Sequence, residues 1–194
     1  MVEFDAKDVR RYYDQYTDNF VNYGAGGRVG ALHRAVWTAE VKNPDQAFRY
    51  TENRLLKHLR TLPSEPPPHI VDLGCGVGGS LCYLATQLPI RGTGLTLSPV
   101  QVQHAEQRIH EAGLSNRITC IEADYCALPE AIPPADVAYA IESFVHVPAP
   151  DRFFAQCRRL LRRCPELALI GQRRGVEVLR GGGHELRGGH QRDQ

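Results

Sequence analysis

Apolar positions along the first part of the chain recur with a helical period. Val9, Tyr12, Tyr13, Tyr16 and Phe20 fall at i, i+3, i+4, i+7 and i+11, which predicts a helix over residues 5–20. A loop with Gly24, Gly26, Gly27 and Gly30 follows, and then a short helix carrying Leu32, Val36 and Trp37. Asn43 and Pro44 supply an N-cap and a first-turn proline for a helix reaching about residue 60, with Phe48, Leu55 and Leu59 facing inward. Residues 63–68 hold four prolines and read as a stiff linker. The linker divides an N-terminal helical cap, residues 1–62, from a core, residues 63–171.

Beyond the linker the period changes. Short apolar runs at 69–73, 92–97, 118–122, 136–141 and 166–170 predict buried strands, and stretches at 80–88, 98–112 and 151–163 predict helices. Strands alternating with helices imply an α/β fold, a doubly wound, Rossmann-like parallel sheet with expected strand order 3-2-1-4-5. Residues 172–194 contain six glycines, and Val176, Val178, Leu179 and Leu186 are their only sizeable apolar side chains. Composition therefore predicts a disordered tail there, with no strand six or seven after the fifth. The tail's Gly, Arg, His and Gln content resembles out-of-frame reading of GC-rich DNA, which suggests a truncated or frameshifted product. Strand five would then be an exposed edge, favouring a homo-oligomer.

Composition narrows the function classes. With 42% hydrophobic and 23% charged residues over 194 positions, the chain has the balance of a globular domain. No run approaches 18 apolar residues, so no membrane partner is expected. Glu3, Asp5 and Asp8 occupy the place of a signal's apolar region, which points to a cytoplasmic location. The net charge of +1 hides an asymmetry, because residues 151–194 hold ten basic residues against five acidic ones. The remainder is net acidic and offers no broad basic surface, so no nucleic acid partner is expected. The six cysteines form no C-x-x-C, and no histidine pair has ligand spacing, so no metal is expected.

The strongest chemical signal is Val71-Asp72-Leu73-Gly74-Cys75-Gly76-Val77-Gly78-Gly79, a buried strand running into glycines and then a helix. Glycines let the backbone turn sharply beside a ligand, and the helix start offers free N–H groups. Gly74, Gly76 and Gly79 also satisfy the dinucleotide pattern, which keeps an NADP-linked oxidoreductase open as an alternative. Asp72 argues against a pyrophosphate, because a carboxylate two residues before the first glycine suits a cationic ammonium group. The second strand also ends Thr96-Leu97-Ser98, without the acid that grips a nicotinamide ribose.

With these residues the chain resembles class I S-adenosylmethionine-dependent methyltransferases. It is similar to the subgroup of gamma-tocopherol, sarcosine and terpenoid or cyclopropane-type enzymes. The shared stretches are residues 71–80, 94–101, 122–125 and 141–146, in order, together with Tyr12-Tyr13-Asp14 in the first helix. The resemblance implies that Asp72, Gly74, Cys75 and Gly76 line the methionine part of S-adenosyl-L-methionine. It places Thr96, Leu97 and Gln101 at the ribose, Asp124 at the adenine amino group and Tyr125 beside the ring. Ser98 and Gln101 also read as a helix cap, and Asp124 as the cap of a turn.

Methyl transfer from a sulfonium needs alignment, exclusion of water and, for some acceptors, a proton acceptor. Glu142 directly follows the fourth strand and His146 lies four residues on, so both are the candidate catalytic residues. His146 would serve as general base for an O–H or N–H acceptor, or Glu142 would stabilise a carbocation formed on C-methylation. The expected function is methyl transfer to a small, hydrophobic or amine-bearing metabolite. The alternative within the same fold is an inactive remnant that binds cofactor only.

Overall fold

The computed structural model describes residues 5–161 in full and, beyond them, the backbone of residues 166–171, 175–182 and 185–189. The first helix, α1 (Ala6–Tyr23), starts at Asp5, whose side chain accepts from the Lys7 and Asp8 amides while Asp8 returns a bond to the Asp5 backbone. Only Thr17 of α1 is buried, so this helix is not part of the core. It lies against the sheet's edge through one polar stripe, at i, i+4 and i+8. Arg10 pairs with Glu122 at 2.7 Å, Asp14 accepts from Ser98 Oγ at 2.6 Å, and Asp18 meets His104 at 2.7 Å.

The second helix, α2 (Pro44–Leu59), is capped by Asn43, which accepts from the Gln46 amide at 2.9 Å. Phe48, Leu55 and Leu59 are buried, as their spacing predicts. The short helix expected around Leu32, Val36 and Trp37 is not formed: residues 34–38 have no regular structure and Trp37 is exposed. Long-range bonds have taken the amides that a helix would use. Arg34 N–H donates to the Glu142 carboxylate at 3.2 Å, and Val36 N–H donates to the Ala47 carbonyl at 2.9 Å.

The core alternates β1 (His69–Leu73), α3 (Gly79–Gln87), β2 (Arg91–Thr96), α4 (Pro99–Glu111), β3 (Ile118–Glu122), β4 (Val137–Ile141), α5 (Pro150–Leu160) and β5 (Glu166–Gly171). The order β3-β2-β1-β4-β5 with parallel pairing is the doubly wound sheet that the alternation predicts. Every residue of β1 and β4 is buried, as befits central strands covered on both faces. Successive side chains of β1 feed opposite cores: Ile70 packs with Leu55, Leu81 and Ile109, while Val71 packs with Leu95, Phe153 and Leu160.

The sheet does not stop at β5. The backbone of β6 (Gly175–Gly182) pairs antiparallel with β5, and β7 (Glu185–Gly189) pairs antiparallel with β6. For residues 175–182 and 185–189 this corrects the expectation of a structureless segment with strands six and seven missing; residues 172–174, 183–184 and 190–194 lie outside the described residues. Composition measures side-chain burial, whereas joining an open strand edge satisfies backbone N–H and C=O groups whatever the side chains. Among the described residues no helix is long and apolar enough to cross a membrane.

Candidate functional site

The site is assembled where β1 ends. After Leu73 the chain passes through Gly74 at φ +104°, Gly76 at φ +53° and Gly78 at φ +74°, conformations that a side chain resists. At Gly74 space forbids one as well, since a Cβ there would lie 2.3 Å from the Ser143 Cβ. The Gly74 and Cys75 amides both donate to the Leu95 carbonyl, at 3.0 and 2.8 Å, which pulls the turn over the end of β2. Gly78 caps α3 without a side-chain bond.

A cavity of about 370 Å³ opens beside this turn, within the size range of small-molecule sites. Asp72, Gly74, Cys75 and Gly76 reach it from β1 and the turn. Thr96, Leu97 and Gln101 reach it from the end of β2 and the start of α4. Tyr125 comes from the segment after β3, and Glu142 and His146 from the segment after β4. Ten of the eleven residues singled out in the sequence therefore line one cavity. Asp124 does not. Its Oδ1 accepts from the Cys126 amide at 2.7 Å, which is the turn-capping role. Gln101 holds both of its expected positions, because it lines the cavity while its amide donates to the Ser98 cap at 3.1 Å. Its Oε1 accepts from Thr96 Oγ1 at 2.5 Å, which fixes the amide orientation.

Asp72 is 2% exposed. The strand register sets it beside Gly94 on one side and Tyr139 on the other. Gly94 leaves a gap that the Cys75 side chain fills, with its Sγ 3.2 Å from Cys120 Sγ. Burial pushes the Asp72 carboxyl up to about 7, against the pull of the nearby Tyr139 hydroxyl and of His33. A buried carboxyl in that condition is stabilised as an anion only when a cation joins it.

Glu142 has φ +54°, the left-handed region in which a glutamate is uncommon, at a cost of about 1–3 kcal/mol. The bonds around it maintain that conformation. Ser143 Oγ donates to the Leu73 carbonyl, and Tyr125 donates to the Ser143 carbonyl at 3.1 Å. The Arg34 amide holds the carboxylate itself. A single 3-10 turn, Phe144–His146, then brings His146 to the Tyr13 hydroxyl, with Nε2 at 3.2 Å and the rings edge-on. Burial lowers the His146 pKa and raises that of Tyr13, so near pH 7 the pair is a neutral imidazole beside a neutral phenol.

Residues 30–34 contribute wall residues that the sequence reading missed. Leu32 lies against Gly76, and His33 and Arg34 line the cavity. Ser80 and Ser143 were also missed. No local signal marks His33, because it depends on Glu52, 19 positions away. Tyr13 was visible within Tyr12-Tyr13-Asp14, but its contact with His146 spans 133 positions.

Comparisons with known proteins agree with this architecture. Residues 70–164 match the family model described as a methyltransferase domain. An O-methyltransferase from Pyrenophora dematioidea is 32% identical over 165 residues, covering 84% of this chain and 60% of the relative. A cycloartenol-C-24-methyltransferase from Oryza sativa subsp. japonica is 29% identical over 154 residues, covering 79% of this chain and 42% of the relative. Among solved structures, the cyclase SpnF superposes with a TM-score of 0.75 at 26% identity, covering 87% of this chain and 61% of that one. This chain thus spans less than two thirds of these proteins' own length.

Proposed function

Since the chain belongs to the class I S-adenosylmethionine-dependent methyltransferases, we propose that its cavity binds S-adenosyl-L-methionine and that it methylates a hydroxyl group of a small metabolite. The observation that carries the acceptor type is the Tyr13–His146 pair on the cavity wall. A neutral imidazole held by a phenol is suited to receive a proton from an acceptor O–H.

The residues present fit the cofactor. The glycine turn clears the space that a Cβ would fill, and Asp72 is a buried carboxyl in want of a cation. Asp72 would take the ammonium group, Gly74 and Gly76 would let the chain approach the methionine, and Thr96, Leu97 and Gln101 would meet the ribose. Tyr125 would flank the adenine. Bound there, the cofactor's sulfonium supplies an electrophilic methyl group. His146 would hold the acceptor oxygen in line and take its proton at a ring nitrogen, while Tyr13 fixes the ring's orientation. Helix α1 would exclude water from the same face by carrying Val9 and Tyr13 over the cavity.

Glu142 supports a second reading, C-methylation, because its carboxylate is fixed at the cavity by the Arg34 amide and would stabilise a developing cation. A C-methyltransferase is among the relatives. Substrate profiling separates the two readings. Phenolic or alcoholic acceptors should turn over with tritiated cofactor, and His146→Asn should remove that turnover. Turnover of alkenes alone, sensitive to Glu142→Gln and not to His146→Asn, would refute the O-methyl reading. The cofactor-only alternative predicts binding of S-adenosylhomocysteine without turnover. Nothing in the comparisons supports the oxidoreductase alternative, and NADPH should not bind. A cytoplasmic location and action on hydrophobic or amine-bearing acceptors extend the same proposal.

A further inference from the structure

Behind the cavity wall lies a buried ionic cluster that the methyl-transfer reading leaves unused. Glu52, on α2, is fully buried, and its Oε1 accepts from Arg49 at 3.0 Å, Ser80 Oγ at 3.1 Å and His33 Nε2 at 3.2 Å. Arg49 is itself fixed, donating to the Val29 carbonyl at 2.6 Å and lying 4.3 Å over the Tyr83 ring. His33 Nδ1 faces the Arg34 carbonyl at 3.2 Å. A carbonyl and a carboxylate both accept, so the placement favours a hydrogen on each His33 nitrogen. This pairing favours the imidazolium form, and the His33 pKa is raised from its ordinary value accordingly.

The placement of that charge is specific. Its neighbour Leu32 packs on Gly76, and Ser80, which shares Glu52 with His33, begins α3 directly after the glycine turn. His33, Ser80 and Asp72 all line the cavity. Its glycine-turn end thus sets one buried carboxyl and one buried imidazole on the same cavity. Glu52 brings one negative charge against Arg49 and a protonated His33, so the cluster is net positive, with His33 as its member on the cavity wall.

We propose that His33 is the positioning residue for the carboxylate of the cofactor's amino-acid end, held cationic by Glu52, so that His33 and Asp72 together select a zwitterion. The inference rests on the cofactor reading above. Both ring nitrogens are engaged, so His33 acts by charge and shape, and hydrogen bonds to the carboxylate fall to backbone N–H groups at the start of α3. Burial disfavours the charged ring, but the bond and charge of Glu52, with the Arg34 carbonyl and the Glu142 charge, together outweigh it and raise the pKa of His33. Glu52 is correspondingly lowered, with His33, a backbone bond and Arg49 together offsetting its burial.

The test is calorimetry on the full chain with two ligands, S-adenosylhomocysteine and 5′-methylthioadenosine, which shares the adenosine and thioether but lacks the amino acid. Wild type should prefer S-adenosylhomocysteine. His33→Phe and His33→Gln should each cut that preference roughly tenfold while leaving 5′-methylthioadenosine affinity within about twofold. Glu52→Gln should shift the preference in the same direction by less. Equal weakening of both ligands would show a purely structural role and overturn the proposal, as would an unchanged preference in whichever His33 variant folds. Failure of wild type to bind either ligand would defeat the cofactor reading itself, and this proposal with it.

Discussion

Replacing Asp72 by Asn should move stability and affinity in opposite directions. In the ligand-free protein the carboxyl rises from 3.8 to about 7, which is a penalty on the ionised form of about 4 kcal/mol. The folded state then holds a proton that the unfolded state has lost between these two values. Stability falls as pH rises through that window and stays low above it. Asn carries no such penalty, although its amide must find bonds of its own at about 1–3 kcal/mol. The net gain at pH 8 should be about 1–3 kcal/mol, or about 2–12 °C in Tm. For binding the sign reverses. Loss of a charge-assisted contact to the ammonium group should weaken S-adenosylhomocysteine about 10–150-fold. Wild-type affinity should also be about tenfold weaker at pH 6 than at pH 8, because only about a tenth of Asp72 is then ionised. The variant should lose this pH dependence. Thermal unfolding and calorimetry at both pH values read all three effects. A variant that is less stable at pH 8 yet binds as tightly as wild type would refute the reasoning.

Other outcomes follow from single contacts. His146→Asn should lower kcat about 10²–10⁴-fold with S-adenosylhomocysteine affinity nearly unchanged, and Tyr13→Phe should cost less; a parallel loss of affinity would place His146 in cofactor binding instead. Gly74→Ala puts a Cβ 2.3 Å from Ser143 at φ +104°, so it should destabilise by at least about 1–3 kcal/mol and abolish binding; a thermal scan showing a wild-type Tm would contradict this geometry of the turn. Ser98→Ala removes both the cap of α4 and the bond to Asp14, at about 0.5–2 kcal/mol, and should speed hydrogen exchange in α1. Unaltered exchange there would mean that the polar stripe does not hold α1.

The order of elements, the glycine turn and the carboxyl ends that frame the cavity were determined by the sequence alone. Each depends on signals that lie within a few residues: an apolar run for β1, Ser98 and Pro99 opening α4, and Gly74, Gly76 and Gly78 where only glycine turns freely. Motif order was also enough to bring ten of the eleven candidate residues to one cavity. Tertiary structure decided the rest, because those features require partners far apart along the chain. Residues 34–38 forgo a helix because Glu142 and Ala47 take their amides. Asp124 accepts from the Cys126 amide and does not line the cavity. Strand β6 forms because β5 leaves an edge open, which composition does not measure. The His33 pKa rises chiefly because Glu52 is folded against it, since burial without such partners would favour the neutral ring.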